Sequence, residues 1–105
     1  MYTSFRHYRE GFGGTGLQGY VATTYDTLVE VFGEPTLGGS SDGKVSAEWC
    51  LKFIDGTVAT IYDYKEDMTP KRMYDWHIGG LNKKAVEMVQ LAMHQKGHFV
   101  AAVPR

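Results

Sequence analysis

The sequence predicts an α+β fold: a three-stranded antiparallel meander sheet with one helix before it and one helix after it, both packed on one face. Three patterns in the 105-residue chain lead to this prediction. Two segments carry apolar residues at helical spacing, two strand-like runs flank the dipeptide Asp55-Gly56, and a third strand-like run ends at Gly79-Gly80. A chain of this length supports one hydrophobic core, and one layer of helices on one sheet is the smallest arrangement that buries both helical stripes.

Residues 1–19 are predicted to form a flexible arm that precedes a single domain of residues 20–105. Five of the nine residues from 11 to 19 are glycine, which loses more conformational freedom on folding than any other residue. The segment from Gln18 to Thr23 is compatible with a short edge strand. The first half of the arm mixes aromatic with basic residues, namely Tyr2, Phe5, Arg6, His7, Tyr8, Arg9 and Phe12.

The first helix is predicted to follow an N-cap at Thr23 or Thr24 and to stop at Gly33. A threonine hydroxyl accepts a hydrogen bond from a free N–H group of the first turn, and glycine readily adopts the left-handed conformation that ends a helix. Pro35 then prevents the helix from continuing. The apolar stripe between these signals consists of Tyr25, Leu28, Val29 and Phe32.

The segments 45–54 and 57–64 are predicted to form a hairpin closed by Asp55-Gly56. That dipeptide is preferred in two-residue type I′ turns, and the loop length decides which residues face each other across the two strands. A two-residue loop pairs Trp49 with Tyr62 and places both on the face that the first helix covers.

Residues 73–78 are predicted to form the third strand, which Gly79-Gly80 then breaks. Asn82 is predicted to cap the second helix, and Gly97 to end it. Residues 99–103 form an apolar tail that is compatible with an edge strand. The apolar stripe of the second helix consists of Ala85, Met88, Val89, Ala92 and Met93.

Composition excludes several classes of protein. The net charge is −1, so no field of either sign attracts nucleic acid or an anionic membrane, and a nucleic-acid partner is not expected although the arm mixes basic with aromatic residues. Cys50, the single cysteine, cannot form a disulfide within the chain, and no apolar run approaches the ~18 residues of a membrane helix. Because no export signal is visible between Met1 and Glu10, the sequence predicts a cytoplasmic protein, and no motif indicates a cofactor.

One candidate for chemistry lies on the polar side of the third strand. Asp75 and His77 share that side, and Asp63 and Glu48 lie on the polar face of the neighbouring hairpin. One histidine with three carboxylates is a candidate for a divalent metal site, so a metal-dependent hydrolase that uses His77, Asp75 and Asp63 is one alternative function. The competing interpretation is that Asp75 and His77 pair with each other or with nearby cations on a solvated face, because strand alternation alone does not bring side chains to one point.

The turn predicted at Gly79-Gly80 is the place where a ligand site is expected. Glycines at a helix start leave N–H groups free to bind an anion, and lysines in the first turn add positive charge. A sponge for a small anionic nucleotide is therefore a second alternative function; the competing interpretation is a tight glycine turn with Trp76 in the core. The candidate ligand-binding residues are Trp76, His77, Gly79, Gly80, Lys83 and Lys84.

Four stretches of the chain resemble a family of small tailed-bacteriophage proteins with no assigned activity. They are TTYDTLVEVFGEP at 23–35, Glu48-Trp49, DGTVATIYD at 55–63 and WHIGG at 76–80. The resemblance covers roughly residues 20–93. It implies a phage or mobile-element gene expressed in a bacterial cytoplasm, and it carries over no functional residues.

The leading interpretation is a non-enzymatic phage-type protein that takes over or inhibits a host protein, such as a defence component, by binding it. No nucleophile occurs in a pattern with a base, and aromatic residues make up 13% of the chain, more than a core of this size must hide. Exposed sheet edges and spare aromatic rings also predict a homodimer.

Overall fold

The computed structural model describes residues 3–9, 13–40 and 42–105 of the chain. These residues form one six-stranded antiparallel sheet and two helices, with the strands in the spatial order β1-β3-β4-β5-β2-β6. The elements in chain order are β1 (Phe5–His7), β2 (Gly16–Thr23), α1 (Tyr25–Phe32), β3 (Glu48–Phe53), β4 (Val58–Tyr62), β5 (Tyr74–Gly80), α2 (Lys84–Gln95) and β6 (Ala101–Pro104). No helix of this described part is long and apolar enough to cross a membrane.

The prediction of a three-stranded sheet is wrong, because the meander β3-β4-β5 is extended on both sides. β1 pairs with β3 at one end, while β2 pairs with β5 and β6 pairs with β2 at the other. Residues 3–9 and 16–19, which were predicted to belong to the arm, therefore take part in the sheet or its flanks. The three added strands are short or rich in glycine, and their pairing depends on distant backbone rather than on a local pattern. Tyr2, Gly11 and Phe12 lie outside the described residues.

The first described residue, Thr3, is tied to the end of α2. The Thr3 N–H donates to the Gln95 Oε1 atom at 2.9 Å, and the Gln95 Nε2 atom donates to the Thr3 carbonyl at 2.6 Å. Thr3 is buried, and the Phe5 ring packs edge-on against Phe32 of α1 with centroids 5.0 Å apart. Both contacts are made with helices, so the position of β1 depends on tertiary packing.

The caps of α1 agree with the prediction. The Thr24 side chain accepts a hydrogen bond from the Thr27 N–H, and Gly33, at φ +84°, donates its N–H to the Val29 carbonyl. The Trp49 Nε1 atom donates to the Gly33 carbonyl at 2.8 Å. The end of α1 is thus fastened directly to β3.

The second helix lies on the same face of the sheet as α1. The Asn82 Oδ1 atom accepts from the Lys84 N–H at 2.9 Å, and Gly97 ends the helix region at φ +89°. A Cβ atom on Gly80 would lie 2.6 Å from the Ala85 Cβ, so the missing side chain lets α2 approach the sheet closely. The buried residues of α2 are Ala85, Val86, Met88, Val89, Ala92 and Met93.

One hydrophobic core fills the space between the helices and the sheet. The Trp49 and Trp76 rings meet edge-on with centroids 5.5 Å apart, and the Tyr25 ring of α1 lies 5.6 Å from Trp49 and 6.4 Å from Trp76. Buried residues of both helices belong to this one core, so α1 and α2 share a face with the tryptophans, as predicted. The largest fully buried apolar side chains are Leu28, Trp49, Leu51, Ile61, Trp76, Ile78 and Met93.

The hairpin between β3 and β4 has a three-residue loop instead of the predicted two-residue turn. The Gly56 N–H donates to the Phe53 carbonyl at 2.9 Å, the Phe53 N–H donates to the Thr57 carbonyl at 2.8 Å, and Gly56 has φ +91°. This is the arrangement of a type I turn followed by a glycine in the left-handed region.

The extra loop residue shifts the register by one position. Trp49 pairs with Ile61, and Glu48 pairs with Tyr62. The predicted pairing of Trp49 with Tyr62 is therefore wrong, and the two rings lie on opposite faces, because a one-residue slip moves every side chain of a strand to the other face.

Replacing Gly56 with alanine is expected to lower the free energy of unfolding by about 1 kcal/mol, because an L-residue at this positive φ is strained. A Cβ atom there meets nothing within 4 Å, so the cost comes from the backbone alone. Gly38→Ala is the matched control, since Gly38 is exposed, has equally open surroundings and is not among the positive-φ glycines. Urea denaturation measures both variants, and equal stability of the two would contradict the turn assignment.

Candidate functional site

The predicted ligand-binding residues lie in three separate environments. Gly79 and Gly80 are buried within β5, where they pair with β4 on one side and with β2 on the other. The expectation that Gly79-Gly80 forms a turn is therefore corrected: both glycines continue the ladder in the middle of the sheet. A side chain on Gly79 would collide with the Thr60 hydroxyl, which explains why glycine is needed inside this strand.

The other four predicted residues do not meet at one point either. Trp76 is fully buried on the helix side, whereas His77 lies on the opposite face of β5. Lys83 donates from its Nζ atom to the carbonyls of Gln18 at 3.1 Å and Arg105 at 3.4 Å, so it ties β2 to the end of the chain. Lys84 is exposed.

The residues of the predicted metal site do not come together either, and Asp63 and Asp75 lie in different environments. The Asp63 carboxylate is fully buried and accepts hydrogen bonds from the Ser46 N–H, the Ser46 hydroxyl and the Ala47 N–H. It holds the loop before β3 against the end of β4. Asp75 is exposed, and within the described residues no group of three His, Cys, Asp or Glu side chains is placed to hold a metal ion.

The face of the sheet opposite the helices carries a row of aromatic rings. Tyr62, His77 and Tyr20 are cross-strand neighbours on β4, β5 and β2. We call these three residues the tyrosine–histidine row. Each alternates along its strand with a core residue, and no described helix packs on this face. The row was missed because the predicted hairpin register placed Tyr62 in the core.

His77 occupies the centre of the row. Its ring stacks on Tyr62 at a centroid distance of 5.3 Å and an angle of 29°, and meets Tyr20 edge-on at 5.2 Å. Tyr64 adds a third ring at 5.8 Å. The His77 Nδ1 atom is buried and has no hydrogen-bond partner among the described residues. A buried polar atom in this state is costly unless a bound group satisfies it.

Burial shifts the pKa values of His77 and Tyr62 in the row. Desolvation lowers the pKa of His77 from its ordinary value of 6.5, against the opposing effect of the Asp63, Glu66 and Asp75 carboxylates. Desolvation also raises the pKa of Tyr62, with Glu48 as the next cause. At neutral pH these shifts favour an uncharged His77 imidazole beside an uncharged Tyr62 phenol.

Two further ionisable groups lie beside the row. Glu48 pairs with Tyr62, and burial raises the pKa of its carboxyl group. Cys50, the next residue on this face of β3, is buried, and desolvation raises the pKa of its thiol to about 12. The thiol therefore stays protonated at neutral pH and does not provide a nucleophile.

No protein-family model, curated protein or solved structure matches this chain. Its class is therefore defined by its own structure: a small α+β domain with both helices on one sheet face and an aromatic row on the other.

His77→Phe keeps a ring in the row and removes the titrating group. Because the pKa of His77 is lower in the folded protein than in the unfolded chain, the unfolded state binds more protons as the pH falls below about 6.5. The wild type is therefore expected to lose stability relative to the variant between pH 6.5 and 5, with a constant difference above pH 7. Urea denaturation across this range measures the effect, and a difference that does not change with pH would contradict it.

Proposed function

We propose that this chain is a small non-enzymatic binding protein of phage type, which inhibits a host protein in the bacterial cytoplasm by docking it on the tyrosine–histidine row. The observation that carries the proposal is the buried, unpaired Nδ1 atom of His77 within three tyrosine rings on the helix-free face. The resemblance of four stretches of the sequence to tailed-bacteriophage proteins supports a phage origin.

The row has the chemistry of a protein interface. Tyrosine side chains bury a large area, lose little conformational entropy when ordered, and are enriched at the residues that dominate binding energy. Tyr20, Tyr62 and His77 are each only partly buried, so each retains surface for a partner. The His77 Nδ1 atom itself is buried, so a partner contacts the exposed parts of the three rings.

The charges around the row select the kind of partner. Glu48 lies at one end of the row without an ion-pair partner among the described residues, and the carboxylates of Glu66 and Asp75 lie close enough to act on the pKa of His77. Three carboxylates beside aromatic rings, with Lys65 over the Tyr64 ring, favour a host surface that presents a lysine or arginine beside apolar groups. We therefore propose a basic patch on a host protein as the occupant.

Binding accounts for the site better than hydrolysis does. A hydrolase needs a nucleophile or an activated water beside a base. The Cys50 thiol is protonated, Asp63 is engaged by the backbone of residues 46 and 47, and the His77 ring is enclosed by tyrosines. The arrangement favours contact with a partner over proton transfer.

The double variant Tyr20→Ala, Tyr64→Ala is expected to weaken binding of the host partner at least thirtyfold, about 2 kcal/mol, because interface tyrosines of this type dominate binding energy. The partner is captured from bacterial lysate, identified, purified and then titrated against each variant by calorimetry. Phe99→Ala is the matched control, since Phe99 is 82% exposed and precedes β6 at another part of the surface.

Loss of binding in the control but not in the double variant would refute the proposed face. Thermal melts of all proteins check that the fold is kept. Light scattering of the pure protein adds a further outcome: a mass of twice 11.8 kDa that returns to the monomer in the double variant would assign the row to a second copy of this chain.

A further inference from the structure

A second feature of the helix-free face lies at the β1 end of the sheet. Arg6 of β1 and Lys52 of β3 are direct cross-strand partners. Like charges directly opposite each other on neighbouring strands destabilise a sheet. Arg6 is exposed and Lys52 is half-buried, so solvent does not fully screen the second charge.

One tyrosine ring lies against both cations. The Arg6 Cζ atom and the Lys52 Nζ atom are each 4.9 Å from the centroid of the Tyr8 ring. Contact with an aromatic face restrains a cation without neutralising it. Residues 3–9, 13–40 and 42–105 place no carboxylate within ion-pair distance of either cation.

A cavity of about 340 Å³ opens beside the two cations. None of its described lining residues is a carboxylate, the Ser4 hydroxyl can donate or accept a hydrogen bond, and the exposed Ile54 side chain supplies an apolar wall. The rings of Phe5 and Phe53 pack against the core on the other face of the sheet. The lining residues of the cavity are Ser4, Phe5, Arg6, Lys52, Phe53, Ile54 and Gly56.

We propose that this cavity binds the phosphate group of a small phosphorylated molecule about the size of a mononucleotide. The planar Arg6 guanidinium can donate two parallel hydrogen bonds to phosphate oxygens, and Lys52 adds a compact charge. Phosphate binding neutralises the two opposed cations, and the volume lies at the lower end of the range for small-ligand sites. The exposed Ile54 side chain offers an apolar contact for the remainder of the ligand.

This site is independent of the tyrosine–histidine row. It uses β1 and the start and end of the hairpin loop, whereas the row lies on β4, β5 and β2. Loss of either site by substitution is therefore expected to leave the other intact, and each proposal can fail alone.

Calorimetry with adenosine 5′-monophosphate, inorganic phosphate and adenosine tests the proposal. The first two probes are expected to bind and adenosine is not, because the phosphate provides the recognised charge. The double variant Arg6→Gln, Lys52→Gln is expected to weaken both phosphate probes by about tenfold or more. The double variant should fold at least as well as the wild type, since the substitutions remove a like-charge pair. If the double variant does not fold, the single variant Arg6→Gln is used in its place.

The matched control is Lys71→Gln, Arg72→Gln, which removes the same two charges elsewhere, including a lysine 3.6 Å from the centroid of the Tyr25 ring. Equal weakening in the control would show a general charge effect and overturn the site. The proposal is also overturned if adenosine binds as tightly as adenosine 5′-monophosphate. It is overturned as well if neither phosphate probe binds at millimolar concentration. Binding of a single-stranded oligonucleotide without binding of the small probes would assign the cations to a nucleic acid and overturn the proposal.

Discussion

The pairing of β2 with β5 is the constraint on which the rest of the structure depends. It joins a segment near the start of the chain to the strand before α2, and β6 pairs in turn with the other edge of β2. Two glycines let α2 lie across this junction: a Cβ atom on Gly19 would be 2.8 Å from the Val86 Cγ2, and one on Gly80 would be 2.6 Å from the Ala85 Cβ. Without this pairing, Tyr20 would not reach His77 and β6 would have no neighbour.

The tyrosine–histidine row contains a local cost to stability on the face of the sheet that no described helix covers. His77 sits where a purely apolar ring would avoid the unsatisfied Nδ1 atom and the reduced stability at low pH. Natural proteins break such rules mainly at functional sites. On the covered face, Trp76 also has an unpaired ring nitrogen, but it is fully enclosed by the core. Both nitrogens are buried, but the His77 ring keeps some exposed surface, whereas the Trp76 ring has none.

Although the net charge of the chain is near zero, charged side chains are unevenly distributed over the helix-free face. Arg6 and Lys52 lie at one end of their strands, whereas Glu48 lies four residues along β3 from Lys52, roughly 13 Å away at the rise of a strand. The basic end adjoins a cavity, and the acidic end adjoins the aromatic row. A single sheet face therefore offers two surfaces of opposite sign, which suit two different kinds of ligand.

The sequence by itself determined the elements whose signals are local. Thr24 and Gly33 bound α1, the apolar stripe of α2 is buried as its spacing indicates, and the meander β3-β4-β5 occurs in the predicted order. These features depend on residues within one or two turns of each other. Only the tertiary structure decided the sheet of six strands, since β1, β2 and β6 obtain their hydrogen bonds from distant backbone.

The same reason explains why the candidate site was only partly predictable. His77 was identified from its place on the polar side of a strand, but its tyrosine partners depend on the hairpin register and on the pairing of β2. Asp55-Gly56 is compatible with both a two-residue and a three-residue loop, and the choice between them moves Tyr62 from one face to the other. Local sequence sets which segments are strands and helices, whereas long-range packing selects the register, and the register decides which side chains meet.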